Sequence, residues 1–267
     1  MARRQPRSRE RRRERQPTPT PPPLPPETRT VGQLVAEAIR FYTRHFWRSL
    51  ALGISVGVID AVAVSLSRAN AIVFEVVIAG PLLTISFVRA SVLISERPAP
   101  PARILVVAWL AGALAFVPFP FLALGFVLPA LAWLAFVGLV VPVIVIERAP
   151  FRAAFRRAIE LSRADYVHAL GSLATLALTY FVARLGLFFL LRGGSGTAER
   201  TAGFIADLVL SPVIFLGGAL LYYDQAARVG SRPRPRRRDA DVHPAVQPDR
   251  TRRSDAQVEP GPAARGQ

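Results

Sequence analysis

Apolar residues run through the middle of the chain in long blocks, separated by short charged segments. A helix that crosses a bilayer needs about 20 mostly apolar residues. By that measure residues 49–66 predict a first span and 71–94 a second. Residues 104–146 are 43 positions without one charge. At about 1.5 Å per helical residue they reach about 64 Å, roughly two bilayer cores, so they predict a hairpin of two spans. Its turn falls near 118–129. Residues 166–191 and 202–223 predict a fifth and a sixth span, joined by the glycine-rich loop 192–200.

Two segments change period. Over 31–46, Val31, Leu34, Val35, Ala38, Ile39, Tyr42 and Phe46 recur at helical spacing, with Arg40 and Arg44 on another face. Thr30 followed by Gln33 has the capping-box pattern, so that helix starts there. Over 150–165, Pro150 suits a first turn, and Phe151, Ala154, Phe155, Ala158 and Ile159 form an apolar stripe. Arg152, Arg156 and Arg163 oppose it. Each segment leads into a span. Such basic amphipathic helices predict an interfacial position, apolar side down and arginines among anionic lipid headgroups. The alternative is packing on the ends of the bundle. The fold class is therefore all-α: an integral membrane bundle of about six transmembrane helices with two interfacial amphipathic helices.

Charge then sets direction. The chain has 34 basic and 18 acidic side chains, a net +16, and no cysteine. Every basic residue is arginine. This excludes an ordinary soluble domain, a disulfide scaffold and a cysteine-ligated metal site. Residues 1–30 hold nine arginines against three glutamates and a proline-rich half; 229–267 repeat the theme. Both predict disordered tails flanking a membrane domain at 31–228. No apolar run follows the first basic stretch, so it does not read as a signal peptide. Neither tail interleaves aromatics, which speaks against nucleic acid as a partner. The tails, Arg97 and Arg103, and the arginines of 148–163 fall on one side of a six-span topology. The positive-inside rule makes that side cytoplasmic and the protein a multi-pass cell-membrane protein with both termini inside.

Ionisable residues within spans are costly and face the bundle interior or water. Four of them toward the outer side are Asp60, Glu75, Arg184 and Asp207. Counting from the span ends puts all four in one layer, about 6–11 Å below the outer surface. Matched depth on the last two spans predicts an Arg184–Asp207 ion pair, with Asp60 as the substitute partner. The first span also carries Ser49, Gly53, Gly57, Ala61 and Ser65, a small residue at every fourth position. That stripe predicts close helix packing, within the bundle or across a dimer. The three histidines, His45, His168 and His243, lie in separate segments without a second ligand nearby, so no metal site or cofactor is expected. Gly193–Gly196 lacks the Lys-Ser/Thr that completes a phosphate loop.

Three segments carry a resemblance: VGQLVAEAIRFYTRHF from residue 31, VIVIERAPFRAAFRRAIELSRADYVHALG from 143, and LLYYDQAAR from 220. Together they resemble uncharacterised bacterial polytopic membrane proteins similar to the membrane domain of glycerophosphoryl diester phosphodiesterases. Glu147, Pro150, Arg157 and Leu161 match that pattern, while Ala158 and Ala164 depart from it. The phosphodiesterase activity belongs to a separate soluble barrel for which these residues leave no room.

No nucleophile–base pair is apparent, so the sequence predicts no enzyme. It predicts a non-catalytic integral membrane protein that organises lipid, anionic in character, or partner proteins at the inner face, with a homo-oligomer open. The alternative is a small transporter or permease subunit with an outward-facing polar layer. A transporter requires a water-accessible cavity at that layer; a scaffold requires a dry, packed one.

Overall fold

The computed structural model describes residues 28–95, 98–123, 126–191 and 196–231. All of its regular structure is helical. Among the described residues six helices are long and apolar enough to cross a membrane: Phe46–Ala63, Arg68–Ser95, Ala102–Ala123, Val127–Glu147, Tyr166–Leu190 and Gly196–Ser231. The chain is an all-α, multi-pass membrane protein. The sixth span starts earlier than hydropathy suggests, because Gly196–Arg200 is already helical. The tails expected at 1–30 and 229–267 lie outside the described residues except for 28–30 and 229–231. Those short stretches belong to the fold.

Only the fifth span is one unbroken helix, α11 (Tyr166–Leu191). The first is α2 (Phe46–Leu50) and α3 (Ile54–Ala63). The second joins α4 (Arg68–Phe74) through a π-helical turn, Glu75–Ala79, to α5 (Gly80–Ser95). The third is α6 (Ala102–Phe116) and α7 (Phe119–Ala123), and the fourth α8 (Val127–Val137) and α9 (Val140–Glu147). The sixth is α12 (Gly196–Leu210) and α13 (Pro212–Ser231), parted at Ser211 because Pro212 has no N–H to continue the ladder. Carbonyls freed inside a membrane must find donors. Ser86 Oγ donates to Leu52 O (2.8 Å), Trp133 Nε1 to Ala115 O (2.8 Å) and Ser162 Oγ to Phe136 O (2.8 Å). The breaks are thereby stapled by side chains from neighbouring helices.

Two further helices sit where the amphipathic pattern places them, α1 (Val31–Arg44) and α10 (Phe151–Ala164). The capping box on α1 forms: Thr30 N–H donates to Gln33 Oε1 (2.8 Å), and Gln33 N–H to Thr30 Oγ1 (3.4 Å). Leu34 and Ala38 are fully buried against α11 and α13. Ala154, Ala158 and Leu161 are fully buried where α10 meets α8, α9 and α13. Most of each apolar stripe is thus consumed by the bundle instead of by lipid, and only Ile39 and Phe151 stay exposed. Arg148 takes the left-handed conformation (φ 54°) that ends α9 and turns the chain into α10.

The core centres on α9, where all of Val140–Ile146 is buried. Small residues bring helices together around it. A methyl group at Gly112 would meet Thr84 and Val141, and one at Gly217 would overlap Leu176. The stripe on the first span works the same way. A Cβ at Gly53 would clash with the backbone oxygen of Leu208, and one at Gly57 would lie 2.9 Å from the Phe204 ring. The stripe therefore packs α3 on α12 within one chain. Farther along it, Ala61 and Ser65 are exposed. There the two helices diverge, and the gap they leave is the site described next.

Candidate binding cleft

Arg184 stands at the base of that gap. Its Nη2 lies 2.7 Å from Asp60 Oδ2 and 3.4 Å from Asp207 Oδ2, and its Nε lies 3.0 Å from Asp207 Oδ1. One guanidinium from α11 thus ties a carboxylate of α3 to one of α12. Tyr180, one turn before Arg184, donates its hydroxyl to Asp207 Oδ1. Bonds between charged partners are roughly twice as strong as neutral ones. Asp207 is fully buried, so its oxygens depend on these donors, while Arg184 and Asp60 are about a third exposed (34% and 36%). They are exposed to a cleft of about 690 Å³ among α3, α11 and α12. Its walls include Val64, Phe181, Leu185 and Phe188, and Glu199 and Arg200 stand on its α12 side. Gly203 lines the floor beside Asp60, where a Cβ would make only ordinary contact, 4.0 Å from Asp60 Oδ2.

Of the four residues expected in one layer, Asp60, Arg184 and Asp207 meet here. Glu75 lies in the π-helical turn of the second span, is half-buried, and makes no ion pair among the described residues. Counting residues gives depth but not azimuth, and Glu75 is not among the residues that line the cleft. Tyr180 was not singled out from the sequence. Its signal was position i−4 from Arg184, which puts both on one helical face.

A second network lies at the end of the bundle that carries α1 and α10. Arg29 Nη1 lies 2.7 Å from Asp224 Oδ1, and Arg29 Nη2 3.0 Å from Glu37 Oε2. The carbonyl of Arg29 accepts from Arg228 Nη2 (2.9 Å), whose Nη1 reaches Asp165 Oδ2 (2.7 Å). His168 Nε2 is 3.6 Å from the other oxygen of Asp224, which is fully buried. Arg29 is therefore one of the internal ion-pair partners of the fold. Nearby, Glu147 Oε1 accepts from Tyr222 (2.9 Å) and from Arg157 Nε (3.3 Å), joining α9, α10 and α13. Three residues of the resemblance, Glu147, Arg157 and the fully buried Leu161, thus hold α10 in place.

The arginines expected at lipid, Arg40, Arg44, Arg152, Arg156 and Arg163, are all exposed on α1 and α10. His45 Nδ1 lies 3.4 Å from Phe41 O within its own helix, and His243 is outside the described residues. Among the described residues no three metal-ligating side chains come together. The fold and the cleft define a polytopic α-helical membrane protein. Comparison with known protein families, with curated proteins and with solved structures gives no match.

Proposed function

We propose that this is a non-catalytic protein of the cell membrane, with both termini in the cytoplasm and the Asp60–Arg184–Asp207 cleft facing out. There it binds a small ligand, as a permease subunit or membrane-embedded binding protein does. The orientation is read from the arginine asymmetry of the sequence: α1 and α10 carry five exposed arginines at one end of the bundle, and the cleft opens near the other. The observation that carries the reading is that Arg184 is open to a 690 Å³ cleft while bound to two carboxylates. An ion pair serving only as glue between helices gains from being sealed, whereas charges kept beside a cavity mark a ligand path. The cleft also falls within the size range of small-molecule sites.

The experiment uses the absence of cysteine. Ser65→Cys introduces one thiol in the cleft wall. A membrane-impermeant maleimide is expected to label it in intact cells, without permeabilisation. Labelling only after permeabilisation would reverse the orientation, and none at all would close the cleft.

A second reading concerns the opposite end. Five exposed arginines project from α1 and α10 after the apolar faces of those helices are spent on packing. An array of this kind suits anionic headgroups of the inner leaflet. It agrees with the resemblance to membrane domains of phosphodiesterases that act on glycerophosphoryl diesters, and leaves lipid organisation as a companion role.

A further inference from the structure

The charge balance of the cleft says what it would hold. Three carboxylates, Asp60, Asp207 and Glu199, stand in or directly behind its wall, against two guanidinium groups, Arg184 and Arg200. At the base the excess is sharper, because Asp60 and Asp207 share the single guanidinium of Arg184. Like charges in a site of low dielectric repel strongly, and an uncompensated carboxylate next to hydrocarbon is costly. A positive charge entering the cleft relieves both. Asp207 is fully buried, so Asp60, 36% exposed, is the carboxylate an incoming ligand meets.

Arg184 Nη1 makes no hydrogen bond among the described residues, and so could donate to an anion. An anion placed there would sit beside two carboxylates that already offset the guanidinium charge. The balance therefore favours a cation. The remaining walls specify its body. Phe181, Leu185 and Phe188 of α11, Phe204 of α12 and Val64 at the end of α3 are apolar. Aromatic faces also attract cations when water is excluded.

We infer that the cleft is a site for a hydrophobic organic cation, an amine or quaternary ammonium on an apolar or aromatic body, with Asp60 as its counter-ion. The inference rests on the binding-cleft reading above, and names the ligand class for it.

The test uses purified Ser65→Cys protein in nanodiscs of phosphatidylcholine, labelled by a water-soluble maleimide. The probes are benzyltrimethylammonium and phenylmethanesulfonate, a cation and an anion of similar size. The cation is expected to slow labelling saturably and the anion to leave it unchanged. Adding Asp60→Asn is expected to raise the half-protecting cation concentration about tenfold, the effect of about 1.4 kcal/mol. Protection by the anion, or by neither probe, overturns the inference while leaving the cleft itself intact. Cation protection that is indifferent to Asp60→Asn also overturns it. Failure of the thiol to label without any probe removes the cleft and the inference together. The cation–anion comparison needs no change at Asp60, so it stands even if Asp60→Asn does not fold.

Discussion

Arg184 Nε lies 3.0 Å from Asp207 Oδ1 across the antiparallel pair α11 and α12, and the same side chain reaches Asp60 on α3 at 2.7 Å. Three separate spans thus meet in one group of charges. Asp207 is fully buried and Asp60 is not, so the two carboxylates are not equivalent. Asp207→Asn is expected to destabilise the fold more than Asp60→Asn does. By double-mutant cycles, polar pairs between membrane helices are worth about 0.6 kcal/mol on average and up to about 1.7. A double-mutant cycle of Arg184→Gln with Asp207→Asn, followed by unfolding in mixed micelles, is expected to return a coupling of that size. Additive effects would mean that the pair contributes nothing.

Glycine at the α3–α12 contact gives a second expectation. A methyl group on Gly53 would meet the Leu208 carbonyl, which is backbone and cannot swing aside. Gly53→Ala is expected to cost about 1–3 kcal/mol as overpacking. Gly57→Ala meets only the Phe204 ring, a side chain that can rotate, and is expected to cost less. Gly186 has nothing within 4 Å of a built Cβ, so Gly186→Ala is expected to be neutral or to gain up to about 1 kcal/mol. Unfolding midpoints of the three variants give the order directly.

The spans, their number, the capping box at Thr30 and the depth match of Arg184 with Asp207 were legible in the sequence. They depend on local period and on counting along an axis. What was not legible depends on azimuth and on distant neighbours. Glu75 counts to the same depth as the triad and does not join it. Arg29 reads as one more arginine of a polar tail, yet its partner Asp224 lies 195 positions away. The amphipathic stripes of α1 and α10 were legible as stripes. Whether lipid or protein covers them is set by helices elsewhere in the chain, and Leu34, Ala38 and Leu161 are covered by protein.

The Arg29–Asp224 pair gives a third expectation. The Arg29 side chain is 10% exposed and that of Asp224 is fully buried. Breaking one partner of a buried pair typically costs about 3–5 kcal/mol. Arg29→Gln is expected to fall in that range, because it leaves the fully buried Asp224 carboxylate without its ion-pair partner. The combined Arg29→Gln, Asp224→Asn protein is expected to be less unstable than the sum of the single changes. Circular dichroism melts of the four proteins supply the comparison.

The arginines of α10 give a fourth. Arg152, Arg156 and Arg163 are exposed, so replacing all three by Gln is expected to leave the melting temperature nearly unchanged. If they engage anionic headgroups, each contributes about 1 kcal/mol of lipid attraction. Lipid mass spectrometry of the purified variant is then expected to show less co-purified anionic lipid than the parent protein. Equal lipid content would reduce these arginines to markers of orientation.

The central claim is that the Asp60–Arg184–Asp207 cluster borders an open cleft and not a sealed seam between helices. Two positions on α3 separate the alternatives. Ala61 lines the cleft beside Asp60, whereas Ser55, nearer the middle of the bundle, is buried with its hydroxyl 2.8 Å from Ser86 Oγ. The decisive measurement is the rate at which a small, charged, membrane-impermeant thiol reagent modifies Ala61→Cys and Ser55→Cys in the otherwise cysteine-free chain, in intact cells. The account predicts ready modification at 61 and none at 55. Protection of both positions, in intact and in permeabilised cells alike, would contradict it and leave the charges as buried glue.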